Sequence, residues 1–91
     1  MEPLRVAIVE DEETHFHLMQ RAMDKALPLA SIHHFEQAEQ CLARLNDVHP
    51  DVIVTDYLLP GMNGIEFLET LGQHKNDIPV IMITGQGDNR V

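Results

Sequence analysis

The stretch Asp51-Val52-Ile53-Val54-Thr55-Asp56-Tyr57-Leu58-Leu59-Pro60-Gly61-Met62-Asn63-Gly64 constrains this chain more than any other. It begins as a short apolar run dense in β-branched residues, the pattern of a strand buried on both faces. The run stops at a carboxylate, Asp56. A Pro-Gly and an Asn-Gly then punctuate a loop before a helical pattern begins. An ionised carboxylate at the end of a buried strand is poorly placed for stability and well placed for chemistry. In open parallel sheets, ligands bind outside the carboxyl ends of the strands. Asp56 therefore reads as a nucleophile for a phosphoryl group, with the rest of the chain building its pocket.

The flanking segments support a parallel sheet. Leu4–Val9 reads as a first strand that ends in four successive acids, Glu10 to Glu13. A helix is predicted from about Glu12 to Leu27, with Phe16, Met19, Met23 and Ala26 as its inner stripe and Pro28 as its stop. Ala30 to Phe35 is a weaker second strand, in which His33 and His34 face opposite sides. A helix from about Glu36 to Asn46 carries Ala38, Cys41, Leu42 and Leu45 on one face. Asp51–Thr55 is the third strand. Asn63 then looks like an N-cap, and Glu66, three residues on, completes a capping box. The helix behind it carries Ile65, Leu68 and Leu71 inward and stops near Gly72. Asn76-Asp77 forms a polar loop, Ile78–Thr84 is a fourth strand, and Gly85–Val91 begins another loop or helix. Strands that alternate with helices imply a parallel sheet with right-handed crossovers.

Size and charge narrow the function. Ninety-one residues suit one domain with one core. The net charge is −9, from six Lys plus Arg against fifteen Asp plus Glu. Direct nucleic-acid binding wants a basic face, and this composition offers none. No apolar run is long enough to span a membrane, and no signal peptide is visible. A single cysteine, Cys41, fits a reducing, cytoplasmic compartment.

Acids stand at two strand ends: Glu10 and Asp11 after the first, Asp56 after the third. In the doubly wound order 2-1-3-4 these strands flank the topological switch point, so three carboxylates converge. They cannot all stay ionised without a counter-charge. Mg²⁺ supplies one: it takes one or two carboxylates, keeps waters and accepts phosphate oxygens. Thr84, at the end of the neighbouring strand, is placed to reach a phosphoryl oxygen; taken alone it reads as a cap or turn residue. Six histidines invite a metal reading, but His15 and His17 lie roughly 200° apart around a helix and cannot share one ion. His33 and His34 diverge, and His49 and His74 are in or near loops, so no transition-metal site is expected. Gly85-Gln86-Gly87 lacks the third glycine of a dinucleotide fingerprint, and there is no Walker A sequence.

Ile8-Val9-Glu10-Asp11-Glu12, Asp51 to Asp56, Pro60 to Gly64, and Pro79 to Gly85 resemble the receiver domain of two-component response regulators, across essentially the whole chain and in order. The resemblance implies a flavodoxin-like α/β fold. It implies that Asp56 accepts phosphate from a histidine kinase or a phosphotransfer protein. Asp11 and Asp56 would ligate Mg²⁺ with the backbone carbonyl of Leu58, Glu10 would act through a metal-bound water, and Thr84 would carry the switch. The domain would be a phosphoacceptor promoting its own phosphorylation and hydrolysis rather than an enzyme on other substrates. Glu10 stands where the family often has Asp.

The family continues with further helices and a fifth strand ending in Lys-Pro. No lysine here stands in that context, so the role of that Lys is assigned to no residue. The chain reads as truncated after the fourth strand, lacking the last strand and helices. An exposed edge and a bare face are then expected to drive self-association. Two other readings compete. One is a phosphorylation-independent binding or assembly module with the same fold, which the absent Lys favours. The other is an aspartyl-phosphate enzyme of the haloacid-dehalogenase type, which needs a second Asp where this chain has Leu58.

Overall fold

The computed structural model describes residues 3–73 and 77–83. Its elements run β1 (Arg5–Val9), α1 (Glu13–Ala26), β2 (Ser31–Phe35), α2 (Ala38–Ala43), α3 (Leu45–Val48), β3 (Val52–Asp56), α4 (Gly64–Gln73) and β4 (Val80–Ile83). The four strands form one sheet in the order β2-β1-β3-β4. Every pairing is parallel, with Val6 beside Val52 and Asp56 beside Ile83. This is the doubly wound order that the strand-end acids require, with β1 and β3 adjacent. Thr84 and the predicted segment Gly85–Val91 lie outside the described residues, as does Asn76 of the polar loop.

The sheet separates two cores. Ala7, Val9 and Ile53 point to one face, where Ala38 and Cys41 of α2, Val48 of α3, and Phe67 and Leu71 of α4 cover them. Val6, Ile8 and Val54 point to the other, against Phe16 of α1 with Met19 and Met23 partly buried beside it. The period-two alternation of each strand therefore serves two apolar faces, which is why the strands read as continuous apolar runs. Burial pushes the Cys41 thiol up to about 12, so it packs as a small hydrophobe and holds little thiolate.

Four packing expectations need correction. Ala26 is exposed, so the inner stripe of α1 ends at Met23. The predicted helix from Glu36 to Asn46 is two short helices broken at Arg44, whose N–H donates to the Cys41 carbonyl at 3.1 Å. This three-residue step tightens the turn, and the second piece buries Val48. In α4 the inward residues are Gly64, Phe67 and Leu71, while Ile65 and Leu68 are exposed. Its apolar residues spread over a wide arc opposite Glu66, Glu69, Thr70 and Gln73, so spacing alone does not choose which of them face the sheet. The choice is made at its start: a Cβ on Gly64 would stand 3.0 Å from the Tyr57 Cα. This close approach presses the Gly64 side of α4 onto the sheet. Finally, β4 is covered less than its apolar sequence suggests, with Ile81 exposed.

Candidate functional site

The strand ends fix the site from the backbone outward. The Glu10 N–H donates to the Phe35 carbonyl at 2.9 Å, extending the β1–β2 ladder by one residue. The Glu10 carbonyl accepts from His34 Nε2 at 2.9 Å. His34 is itself held by a parallel stack on Phe16, with ring centroids 3.6 Å apart. On the other side, the Tyr57 N–H donates to the Ile83 carbonyl at 2.8 Å, so Asp56 ends β3 in ladder register. The loop after it is closed by the Gly64 N–H bonding the Tyr57 carbonyl at 3.0 Å, and Gly61 takes the left-handed φ of 74° that glycine tolerates.

These constraints hold two buried carboxylates together. Glu10 and Asp56 are each only 3% exposed. Asp56 Oδ1 accepts from the Leu58 N–H at 3.1 Å, and Glu10 Oε2 accepts from the Glu12 N–H at 3.2 Å. The other oxygen of each carboxylate has no hydrogen-bond donor among the described residues. Burial pushes the Glu10 carboxyl from its ordinary 4.5 up to about 7. The Glu12 N–H and His15 oppose that rise, while Asp56 and Asp11 add to it. Two buried acids, one of them reluctant to ionise, are the electrostatic signature of a pocket that gains from a cation.

Of the residues singled out in the sequence, Glu10 and Asp56 meet. Asp11 follows directly but is exposed and stands outside their group. Leu58 supplies its N–H to Asp56, and its side chain is 53% exposed at the rim. Thr84 lies outside the described residues. The residue that sequence reasoning missed is His15. One ligand atom each from Glu10, His15 and Asp56 lies within 4.8 Å of the others. Spacing relates the histidines only to one another, whereas His15 meets carboxylates. The usable signal was a histidine one turn into the helix that follows an acid-terminated strand, which returns it over that strand's end.

The donor set fits a hard divalent cation: buried carboxylate oxygens with open valences, beside a cleft of about 270 Å³ lined by Glu10, His15, Leu18, Met19 and Ile83. No helix among the described residues is long and apolar enough to cross a membrane.

Comparison with known proteins agrees with the fold. The family model described as "Response regulator receiver domain" matches residues 6–91. The transcriptional regulatory protein FixJ of Rhizobium meliloti is 49% identical over 53 residues, covering 58% of this chain and 26% of FixJ. A protein-glutamate methylesterase/protein-glutamine glutaminase of Treponema denticola is 37% identical over 84 residues, covering 92% of this chain and 23% of that protein. The chain thus spans about a quarter of the length of these curated relatives. Among solved structures, the crystal structure of FixJ-N superposes with a TM-score of 0.74 at 35% identity, over 90% of this chain and 64% of that one. The MaeR response regulator bound to beryllium trifluoride gives 0.83 at 25% identity, over 93% and 70%. The parallel sheet in the order 2-1-3-4, the acids at its switch point and the match over nearly the whole sequence lead to one statement: this chain belongs to the response regulator receiver domains of two-component systems.

Proposed function

We propose that the domain accepts a phosphoryl group on Asp56 from a histidine kinase or a phosphotransfer protein in the cytoplasm, with Mg²⁺ in the acid pocket, and changes conformation in response. The observation that carries this reading is the pair Glu10–Asp56, buried at adjacent strand ends with one oxygen of each left without a donor among the described residues. The Leu58 N–H holds Oδ1 of Asp56, which leaves Oδ2 to attack phosphorus in line. The P–O bond to Asp56 forms as the P–N bond of a phosphohistidine breaks, and the leaving imidazole takes up a proton. The product is an acyl phosphate. Mg²⁺ would neutralise charge on the donor and on the transferring group.

Asp56, Glu10 and the Leu58 carbonyl would hold the ion. Asp11, exposed next to Glu10 in sequence, is assigned a further ligand position. Thr84, the next residue in sequence after β4, is assigned the phosphoryl contact that carries the switch. Beryllium trifluoride, the group bound to the MaeR neighbour, is an anion with the shape of a phosphoryl group. The surface around the exposed Ile81 of β4 is proposed for pairing with a second copy. A radius independent of concentration in light scattering would refute that pairing.

The test of function is intact mass after incubation with Mg²⁺ and a small-molecule phosphoryl donor, beside Asp56→Ala. A gain of one phosphoryl group that vanishes in the variant is expected. Absence of any gain in folded protein would reject phosphoryl transfer and leave a phosphorylation-independent binding module.

A further inference from the structure

His15 has no part in the function just described, yet it stands in the pocket. It lies in the first turn of α1, with a side chain 32% exposed. Its Nδ1 is 3.8 Å from Glu10 Oε2. Its Nε2 is 3.3 Å from Glu12 Oε1. We propose that His15 is a third side-chain ligand, with Glu10 and Asp56, to an imidazole-accepting divalent cation of the first transition row, and that it biases the pocket toward such ions over Mg²⁺. The inference deepens the reading of this pocket as a cation site and rests on it.

Three observations carry the assignment. The first is spacing. Ligand atoms about 2.0–2.2 Å from one ion lie roughly 3–4 Å apart. The atoms offered by Glu10, His15 and Asp56 are within 4.8 Å of one another, so small side-chain rotations close the set. The second is the partner behind the ring. A metal-bound histidine donates its other N–H to a carboxylate or carbonyl, which fixes the tautomer and orients the lone pair. Glu12 is placed to accept from Nε2, which leaves the Nδ1 lone pair on the side of Glu10. The third is burial. The two carboxylates are each 3% exposed and each keeps an oxygen without a donor among the described residues, so a positive centre is needed inside the pocket rather than at its mouth. Asp11, the carboxylate that would make an all-oxygen set, is exposed and outside the group.

Donor chemistry then sets selectivity. Mg²⁺ prefers oxygen in near-octahedral geometry and keeps its waters, so an imidazole adds little to its binding. Affinity for nitrogen rises along the series from Mn²⁺ through Co²⁺ and Ni²⁺. The cleft beside Glu10 and His15 leaves room for the remaining ligands to be water or phosphoryl oxygen.

The test uses two probes on the intact chain. Mn²⁺ bound to wild type is examined by pulsed electron paramagnetic resonance for ¹⁴N coupling. Co²⁺ and Mg²⁺ affinities are measured by calorimetry for wild type, His15→Gln and Asp56→Asn. The expected result is a ¹⁴N coupling in wild type that is lost in both variants. His15→Gln should weaken Co²⁺ about tenfold or more, the scale on which ligand-shell changes act, while Mg²⁺ changes less than about twofold. Cations that bind in an Asp56-dependent manner without ¹⁴N coupling would overturn the role of His15 and leave the cation site standing. So would an equal loss for Co²⁺ and Mg²⁺ in His15→Gln. Binding of neither ion in an Asp56-dependent manner would overturn both. The wild-type spectrum needs no substitution, so a poorly folded variant cannot mask the answer.

Discussion

The two faces of the sheet are built for different work. Behind one face, α2, α3 and α4 bury a continuous apolar core around Phe67, which is fully enclosed. On the other, α1 alone among the described helices packs on the strands, and the carboxylates of Glu10 and Asp56 share its side of the sheet with Val6, Ile8 and Val54. Strand alternation makes this division unavoidable: residues 6, 8 and 10 of one strand and 52, 54 and 56 of the next point the same way. The thick face supplies stability that the thin face spends on holding two acids out of water. Substitutions on the first should therefore change folding, and substitutions on the second should change chemistry and its pH dependence.

The largest effect expected is on the thick face. Phe67→Ala removes the largest fully buried side chain from a site walled by α2, α4 and the sheet. A loss of about 3–5 kcal/mol is expected in urea unfolding, transfer and cavity contributions together. Phe16→Ala, on the thin face, should cost clearly less. Phe16 keeps 8% exposure and stacks on an exposed His34, so water and neighbouring side chains can fill its place. Equal losses for the two would show that the faces are equally packed and would remove the basis of the contrast.

The next effect inverts the usual sign of a polar substitution. The Glu10 carboxyl is raised from 4.5 to about 7 in the folded protein, chiefly by burial. A raised acid binds its proton more tightly when folded, so metal-free stability falls as pH climbs from about 4.5 through about 7 and then levels. Glu10→Gln removes that titration. With divalent cations chelated, the variant should gain over wild type across this window, by a difference on the order of 2 kcal/mol above pH 8. Thermal unfolding at several pH values reads it directly. A flat difference across the window would mean that Glu10 is better solvated than its burial implies, and the cost assigned to the thin face would vanish.

Much of this division was legible in the sequence. Runs such as Val52-Ile53-Val54 announced strands buried on both faces, and acids at two strand ends announced the switch point, because strand period and crossover handedness are local rules with global consequences. The capping box was equally plain, since Asn63 and Glu66 sit three apart. What escaped was decided by tertiary placement. Phe67 faces inward rather than Ile65 and Leu68 because Gly64 seats α4 against Tyr57. Arg44 breaks the second helix through one short hydrogen bond. His15 joins Glu10 because α1 starts almost at the end of β1, a geometry that searching for histidine pairs does not test. Asp11, adjacent in sequence to Glu10, lies in the bend beyond β1 and stays exposed outside the group.

At the rim of the thin face the effect is kinetic. Leu58 follows Asp56 by two residues and its apolar side chain is half exposed beside the loop. An alkyl group cannot orient a water for attack on an acyl phosphate. Leu58→Asn should speed loss of the phosphoryl group from Asp56 by on the order of tenfold, equivalent to about 1.4 kcal/mol of barrier. The decay of the phosphorylated mass reads this. An unchanged half-life would place the controlling step elsewhere than water orientation at this position.

The smallest effect tests whether the faces are independent. The Asn63 N–H donates to Glu66 Oε1 at 2.9 Å, and the Glu66 N–H donates to Asn63 Oδ1 at 2.9 Å. This reciprocal box starts α4, which packs on the thick face, and it also ends the loop that carries Leu58 away from Asp56. Asn63→Ala should cost about 1 kcal/mol in unfolding. Glu66→Ala added to it should cost a further, smaller loss, because each side chain bonds the other residue's backbone N–H, which the first substitution leaves in place. Phosphorylation of Asp56 should keep its rate in Asn63→Ala, since Gly64 still closes the loop on the Tyr57 carbonyl at 3.0 Å. A rate that falls together with stability would mean the thick face sets the geometry of the acids through this loop. The division of labour between the faces would then be one of side chains only, with a backbone shared by both.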